Sequence, residues 1–349
     1  MLTALGFNTQ QEQPDHAQSS TSPGVQGPLT DPASSLSVAP TGELPNDASG
    51  SSQVELSARS VISTRGHAVL TLPDQSPAPV RVEECDGTIV LASERDSPLL
   101  SAEADFNAWR EPVIDHVQEL LTADCRRGTN HSRLRDRLLA LANLLPGAVS
   151  AVKERQFRIG YEVERLQGLL VAYQSGGDDM PMLNAATLED VKQLLLALKM
   201  GIDKLERWAE FRRVAVNDPI TIGDVDLPVV SEALEQIAAA MEQQPGYFDP
   251  ELPSTFRFLS EAVRDPNGAT KTVVFGAVKS AENLISFLGR RALGIGTKAA
   301  DAVEKHISTV VATFLISTVS LAAAQLSGAL PAGWAWLKPL LEALAPALH

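Results

Sequence analysis

At 349 residues and 37.3 kDa the chain is long enough for two domains. Its formal charge of −14 is uneven: −8 over residues 1–100 (4 basic, 12 acidic), −9 over 101–265 (18 basic, 27 acidic) and +3 over 266–349 (7 basic, 4 acidic). An acidic body repels phosphate backbones, so nucleic-acid binding is not expected; two cysteines, Cys85 and Cys125, cannot build a disulfide framework or a cysteine-rich zinc site.

Residues 1–52 are rich in Ser, Pro, Gln, Gly and Thr and cannot bury enough apolar area to offset chain entropy, which predicts a disordered leader. No Lys or Arg precedes Arg59 and no long apolar core follows, so no Sec signal peptide is expected. The leader resembles the unfolded, charge-poor starts of some bacterial effectors exported by contact-dependent secretion, an alternative left open.

Residues 53–98 read as a small β-meander, with strands over Val54 to Ile62, His67 to Leu72, Val80 to Glu84 and Thr88 to Ser93. Asp86-Gly87 between the last two is a hairpin signal. So small a sheet must pack on the helices, because a lone hairpin is marginal.

A helical body is expected over 99–266. Phe106, Trp109, Val113, Val117 and Leu120 recur at helical steps, with Pro112 predicted to mark the start. Leu134, Leu138, Leu141 and Leu145 line a second helix. Over 148–213 two long periodic runs predict an antiparallel coiled-coil-like hairpin with arms of about 35–40 Å. One run is Val149, Val152, Gln156, Ile159, Val163, Leu166, Leu170 and Tyr173; the other is Leu188, Val191, Leu195, Leu198, Ile202, Leu205 and Ala209. Thr187 with Asp190 reads as the cap of the second arm. Gln156 breaks the first seam, either to set register or at an exposed end. Arg155, Glu162, Glu164, Arg165, Lys192, Lys204 and Glu206 read as solvated flanks that could also select a partner helix. After Asp218-Pro219, ITIGDVDLP suggests a short strand; helices are then marked by Val230, Leu234, Ile237 and Met241 and by Phe256, Leu259 and Val263.

Residues 267–296 predict an amphipathic helix flanked by Lys271, Lys279, Arg290 and Arg291, suited to an anionic membrane surface or to the body. The hydrophobic stretch 297–330 follows. Ile307 to Leu337 runs 31 residues without a charge, and Ile307 to Leu326 has the length of a spanning helix. Its nine Leu, Ile, Val and Phe residues favour insertion by about 3–5 kcal/mol. Opposing hydroxyls at Ser308, Thr309, Thr313, Ser317, Thr318 and Ser320, with Gln325, make it a modest anchor; the alternative is a buried bundle helix. Basic residues before the run and only Lys338 after it predict a single pass with a cytoplasmic N-terminus. Trp334 and Trp336 stand where an aromatic belt would lie, and 331–349 reads as an interfacial tail through Leu337, Leu340, Leu341 and Leu344. Ser320, Ala324 and Gly328 form a small-residue row that composition alone explains.

No catalytic, cofactor or metal residues are identified, and no cofactor is expected. His16, His67, His116, His131, His306 and His349 do not pair at ligand spacing. GIGTK at Gly294 to Lys298 lacks the phosphate-loop spacing, and LGRRALGIG lacks a βαβ context. Asp178-Asp179 and Asp224/Asp226 are turn carboxylates. His116 cannot form a dyad with the adjacent Asp115, which points elsewhere on a helix. His131 with Arg133, Arg135 and Arg137 is an anion patch or a solvated helix start.

The sequence therefore predicts a mostly α protein: a helical bundle with a coiled-coil-like hairpin, a small β-meander before it, a disordered N-terminus and a C-terminal hydrophobic, transmembrane helix. The leading function is a bacterial inner-membrane-anchored interaction or scaffold protein. Its lipid partner is met through the C-terminal segment, and a protein partner or a second copy through the hairpin. A membrane-perturbing or secreted effector, a soluble cytoplasmic bundle, and an enzyme whose site is assembled from scattered residues are the alternatives.

Overall fold

The computed structural model describes residues 60–62, 70–94, 96–123, 131–176, 182–220, 222–265, 267–293 and 334–344, all within the unit Glu55–His349. The architecture is mostly helical. In place of one meander there are two separate antiparallel pairs: β1 (Ser60–Ile62) with β2 (Leu70–Leu72), and β3 (Val82–Cys85) with β4 (Thr88–Leu91). The β3–β4 turn is as expected. Cys85 faces Thr88, and both Asp86 (φ 50°) and Gly87 (φ 80°) take the left-handed backbone of a two-residue hairpin loop. The hairpin leans on the helices, since Ile89 N donates to Tyr247 O and Asp249 N donates to Ile89 O.

Ten helices follow among the described residues: α1 (Glu103–Ala123), α2 (Ser132–Leu144), α3 (Val149–Glu154), α4 (Gln156–Ser175), α5 (Ala185–Ile202), α6 (Glu206–Asn217), α7 (Leu227–Glu242), α8 (Glu251–Arg264), α9 (Lys271–Ala292) and α10 (Leu337–Leu344). α1 does not begin at Pro112 but runs through it. Pro112 and Ala108 both lie on the exposed side, so water can take the carbonyl the proline strands, while Phe106 and Val113 anchor the turns on either side. Asn184, not Thr187, caps α5, accepting from Thr187 N at 2.8 Å. The ITIGDVDLP connector holds a 3-10 turn, Ile222–Asp224, where a strand was expected.

α4 and α5, which lie within the two predicted arms, pack on each other, but both arms are broken. Arg155 leaves helical geometry, and its guanidinium donates back to Ala151 O, Asn143 O and Pro146 O, closing the ends of α2 and α3. The second arm stops at Ile202 because Leu100 N donates to Lys204 O and Leu99 bridges Leu205. Nor is the pair isolated. α4 also touches α2, α6 and α9, so Glu162, Glu164 and Arg165, expected in solvent, are buried. Gln156 is buried too, at the start of α4.

α9 is covered by protein from Thr272 to Gly289, which corrects the membrane-surface reading of that helix. Its polar row holds the extended chain before β3: Asn283 accepts from Ser76 N and donates to Ser76 O and Val80 O, and Ser280 Oγ accepts from Val80 N. The described part of the tail also rests on protein rather than at an interface. Trp334, Leu337 and Leu340 are buried, and a Cβ at Gly289 would come within 2.8 Å of Leu340. No described helix is long and apolar enough to cross a membrane; the candidate span Ile307–Leu326, like residues 1–59, lies outside the described residues.

One close approach in the core is at Gly160, where a Cβ would lie 2.3 Å from the ring of Trp208, itself walled by Phe157, Tyr161 and Phe211. Gly160→Ala should cost about 2 kcal/mol by overpacking, read as a lower urea midpoint. An unchanged midpoint would mean the indole has room to move.

Candidate functional site

The charges concentrated on α4 are the first place to look for chemistry. Glu162, 3% exposed, accepts from Arg137 Nη1 at 2.8 Å and from Arg165 Nη1 at 3.0 Å. Arg165 reaches Asp265 as well, at 3.7 Å. Burial lowers the Arg165 guanidinium from its ordinary range, opposed by the Glu162 charge. Two residues on from Glu162, Glu164 Oε2 accepts from Thr270 Oγ1 at 3.1 Å. Burial raises this carboxyl, and the Thr270 hydrogen bond only partly offsets it. Tyr161, fully enclosed, donates to Val273 O at 3.3 Å, and burial holds its hydroxyl well above the usual phenol range.

Beside this row lies an open groove of about 360 Å³ between α4 and the start of α9, lined by Gly168, Val171, Ser175, Asn267, Ala269 and Thr270 among others. Gly168 permits the close approach: a Cβ there would meet Asn267 O at 2.0 Å. The groove does not gather a reacting set. Thr270 Oγ1 donates to Glu164 and accepts from Val273 N as the cap of α9, so both its roles are structural. The base beside this hydroxyl is the Glu164 carboxylate, which is buried and does not line the groove.

A second polar network joins the segment before α1 to the body. Glu94 pairs with Arg207 and accepts from Gln156 Nε2 at 3.0 Å, while Gln156 Oε1 accepts from Trp208 N at 3.1 Å. Burial pushes Glu94 up to about 7, against the lowering charges of Arg207 and Arg81.

The residues singled out in the sequence are not assembled. His116 is half-buried on α1, and His131 meets Tyr173 edge-on at 6.0 Å. Arg137 is drawn to Glu162 rather than to an anion patch with His131. Asp226 caps α7 by accepting from Val229 N. Cys85 is exposed at the hairpin turn. Asp178, Asp179, Cys125, His16, His67, His306, His349 and the GIGTK stretch lie outside the described residues. Among the described residues, no group of three or more His, Cys, Asp or Glu could hold a metal ion.

The surface offers a different feature. The outward side of α5 carries Leu196 and Met200, 56% and 65% exposed and one turn apart. Leu100, 60% exposed, lies before α1, its N–H donating to Lys204 O just past the end of α5. No family model, curated protein or solved structure matches this chain.

Proposed function

We propose that this chain is a helical interaction protein tethered to a membrane: a folded body that offers an apolar helix face to another protein, held at a bilayer by Ile307–Leu326. The interaction half rests on one observation, the exposed pair Leu196 and Met200 one turn apart on α5. Large apolar side chains grouped on an otherwise polar surface favour a protein partner. The engagement of Glu162, Glu164 and Glu94 in contacts between elements supports the same reading over an enzyme.

The tether rests on the uncharged run and its gross gain of about 3–5 kcal/mol. A pass that carried the tail across the bilayer would strip Trp334, Leu337 and Leu340 from their sites, at roughly 1.5–3 kcal/mol for each. A single pass therefore competes with the docked tail, and the tether requires residues 334–344 to leave the body. Release of α9 to perforate lipid is disfavoured. It would carry the Lys279–Glu282 pair (2.6 Å) into hydrocarbon, at about 2.5–3.5 kcal/mol per charge.

Fractionation tests the tether. The full chain should sediment with membranes, and the double variant Val311→Lys, Leu315→Lys should shift to the soluble fraction, since two central lysines outweigh the gain. Substitution is preferable to ending the chain at Lys305, which would also remove Leu340 from Gly289. Identical partitioning of the two proteins would defeat the tether.

A further inference from the structure

We infer that α10 is a latch on membrane entry: docked against α9 it holds the chain off the bilayer, and its release lets Ile307–Leu326 cross. This adds regulation to the tether reading above and rests on it. The chain leaves α9 at Leu293, whose N–H donates to Gly289 O. The tail comes back to the same turn, where Leu340 fills the space that a Cβ on Gly289 would take. Both ends of the stretch 294–333 are thus fastened beside one helix end. A single pass instead sends its ends to opposite faces of a hydrocarbon layer about 30 Å thick. The seven residues 327–333 would cover only about 11 Å as a helix, and drawn out they would leave their backbone unpaired in hydrocarbon. They cannot bring the tail back from the far face to Gly289. Docked tail and single pass exclude each other.

Among the described residues the tail is held by apolar contact. Trp334, Leu337 and Leu340 are buried, while Lys338 and Glu342 face solvent. Its backbone bonds, Leu337 N to Trp334 O and Leu340 N to Trp336 O, run within the tail. Lipid can take over contacts of this kind, because acyl chains are as apolar as leucine. Docking also leaves one group unserved: Trp336 Nε1 is buried without an acceptor, and an indole N–H finds acceptors at a membrane interface. The cost of stripping the three buried side chains is of the same order as the gain from the uncharged run. Docked and inserted forms therefore coexist, and the fit of Leu340 on Gly289 sets their shares. α9 stays in the body in both, with Ser280 and Asn283 still holding Val80.

Flotation of the full chain with vesicles of phosphatidylcholine and phosphatidylglycerol reads the ratio of bound to free protein. Gly289→Gln crowds Leu340 off α9 and leaves tail and span unaltered. It should raise that ratio about tenfold, the reach of an ordinary overpacking penalty. A staple tests the opposite direction. Leu340 Cγ lies 3.5 Å from where a Cβ on Gly289 would stand, so Gly289→Cys with Leu340→Cys can close a disulfide in a Cys85→Ser, Cys125→Ser background. The oxidised form should bind vesicles about tenfold less than the reduced one, and dithiothreitol should restore binding. Suppose oxidised and reduced forms bind alike while Val311→Lys with Leu315→Lys still abolishes binding. The latch is then overturned and the tether stands. A Gly289→Gln ratio no higher than that of the unaltered chain overturns the latch as well. Vesicle binding by neither the unaltered chain nor Gly289→Gln overturns latch and tether together.

Discussion

Glu162→Ala should lower the stability of the fold by about 3 kcal/mol, the cost of leaving buried charge without its partner. Glu162 is the shared anion of two guanidiniums, Arg137 at 2.8 Å and Arg165 at 3.0 Å, reaching it from α2 and from its own helix. With the carboxylate gone, those cations face each other. Arg165, whose side chain is 8% exposed, retains only Asp265 at 3.7 Å, and its Nε has no partner even before the change. The estimate takes the low end of the usual range because Arg137, 20% exposed, can turn its head towards water. A urea titration followed by circular dichroism measures the loss. The paired replacement Glu162→Leu with Arg165→Leu should cost far less, since apolar residues of similar volume leave no orphaned charge. A loss below about 1 kcal/mol for Glu162→Ala would place this pair among solvated surface contacts.

That distinction marks where the sequence was readable and where it was not. The Asp86-Gly87 turn, the α2 leucines and the amphipathic faces of α7 and α8 follow from spacing, because each is a local decision between one element and one buried side. The burial of α4 depends on how many neighbours surround it, and no periodicity counts neighbours. A signal was nonetheless present. Phe157, Ile159, Tyr161, Val163, Leu166, Leu169 and Leu170 leave no polar side on that helix, and charges within such a stretch must be paired. A two-helix seam alone would put Glu162, Glu164 and Arg165 in water. The breaks at Arg155 and at Asp203–Leu205 were illegible for a different reason: each is imposed by distant backbone, Asn143 and Pro146 for one and Leu99-Leu100 for the other. The α9 row of Ser280, Asn283 and Ser286 reads as a polar interruption in sequence, and only the extended chain over Pro73 to Val80 explains it.

Glu94 gives the expectation with the largest dependence on conditions. Its carboxyl, 12% exposed, sits between Arg207 of α6, Gln156 of α4 and Arg81 before β3, with Glu210 close to Arg207. Burial outweighs the cations and pushes it up to about 7 from 4.5. A carboxyl raised on folding binds its proton more tightly in the native state. Its contribution is therefore full below about pH 4.5, falls as pH rises towards 7, and is level above that. A difference of about 2.5 units corresponds to roughly 3 kcal/mol at most. Glu94→Gln keeps the size of the group and removes its titration. The fall in unfolding free energy between pH 5 and pH 8 should then be smaller in the variant by about 2–3 kcal/mol, as urea titrations at the two pH values would measure. Glu164, raised in the same direction, titrates in both proteins and drops out of the comparison. Equal pH dependence in the two proteins would mean that Arg207 and Arg81 hold Glu94 ionised throughout. The segment joining β4 to α1 would then be fastened by a permanent ion pair instead of one that fades with the proton.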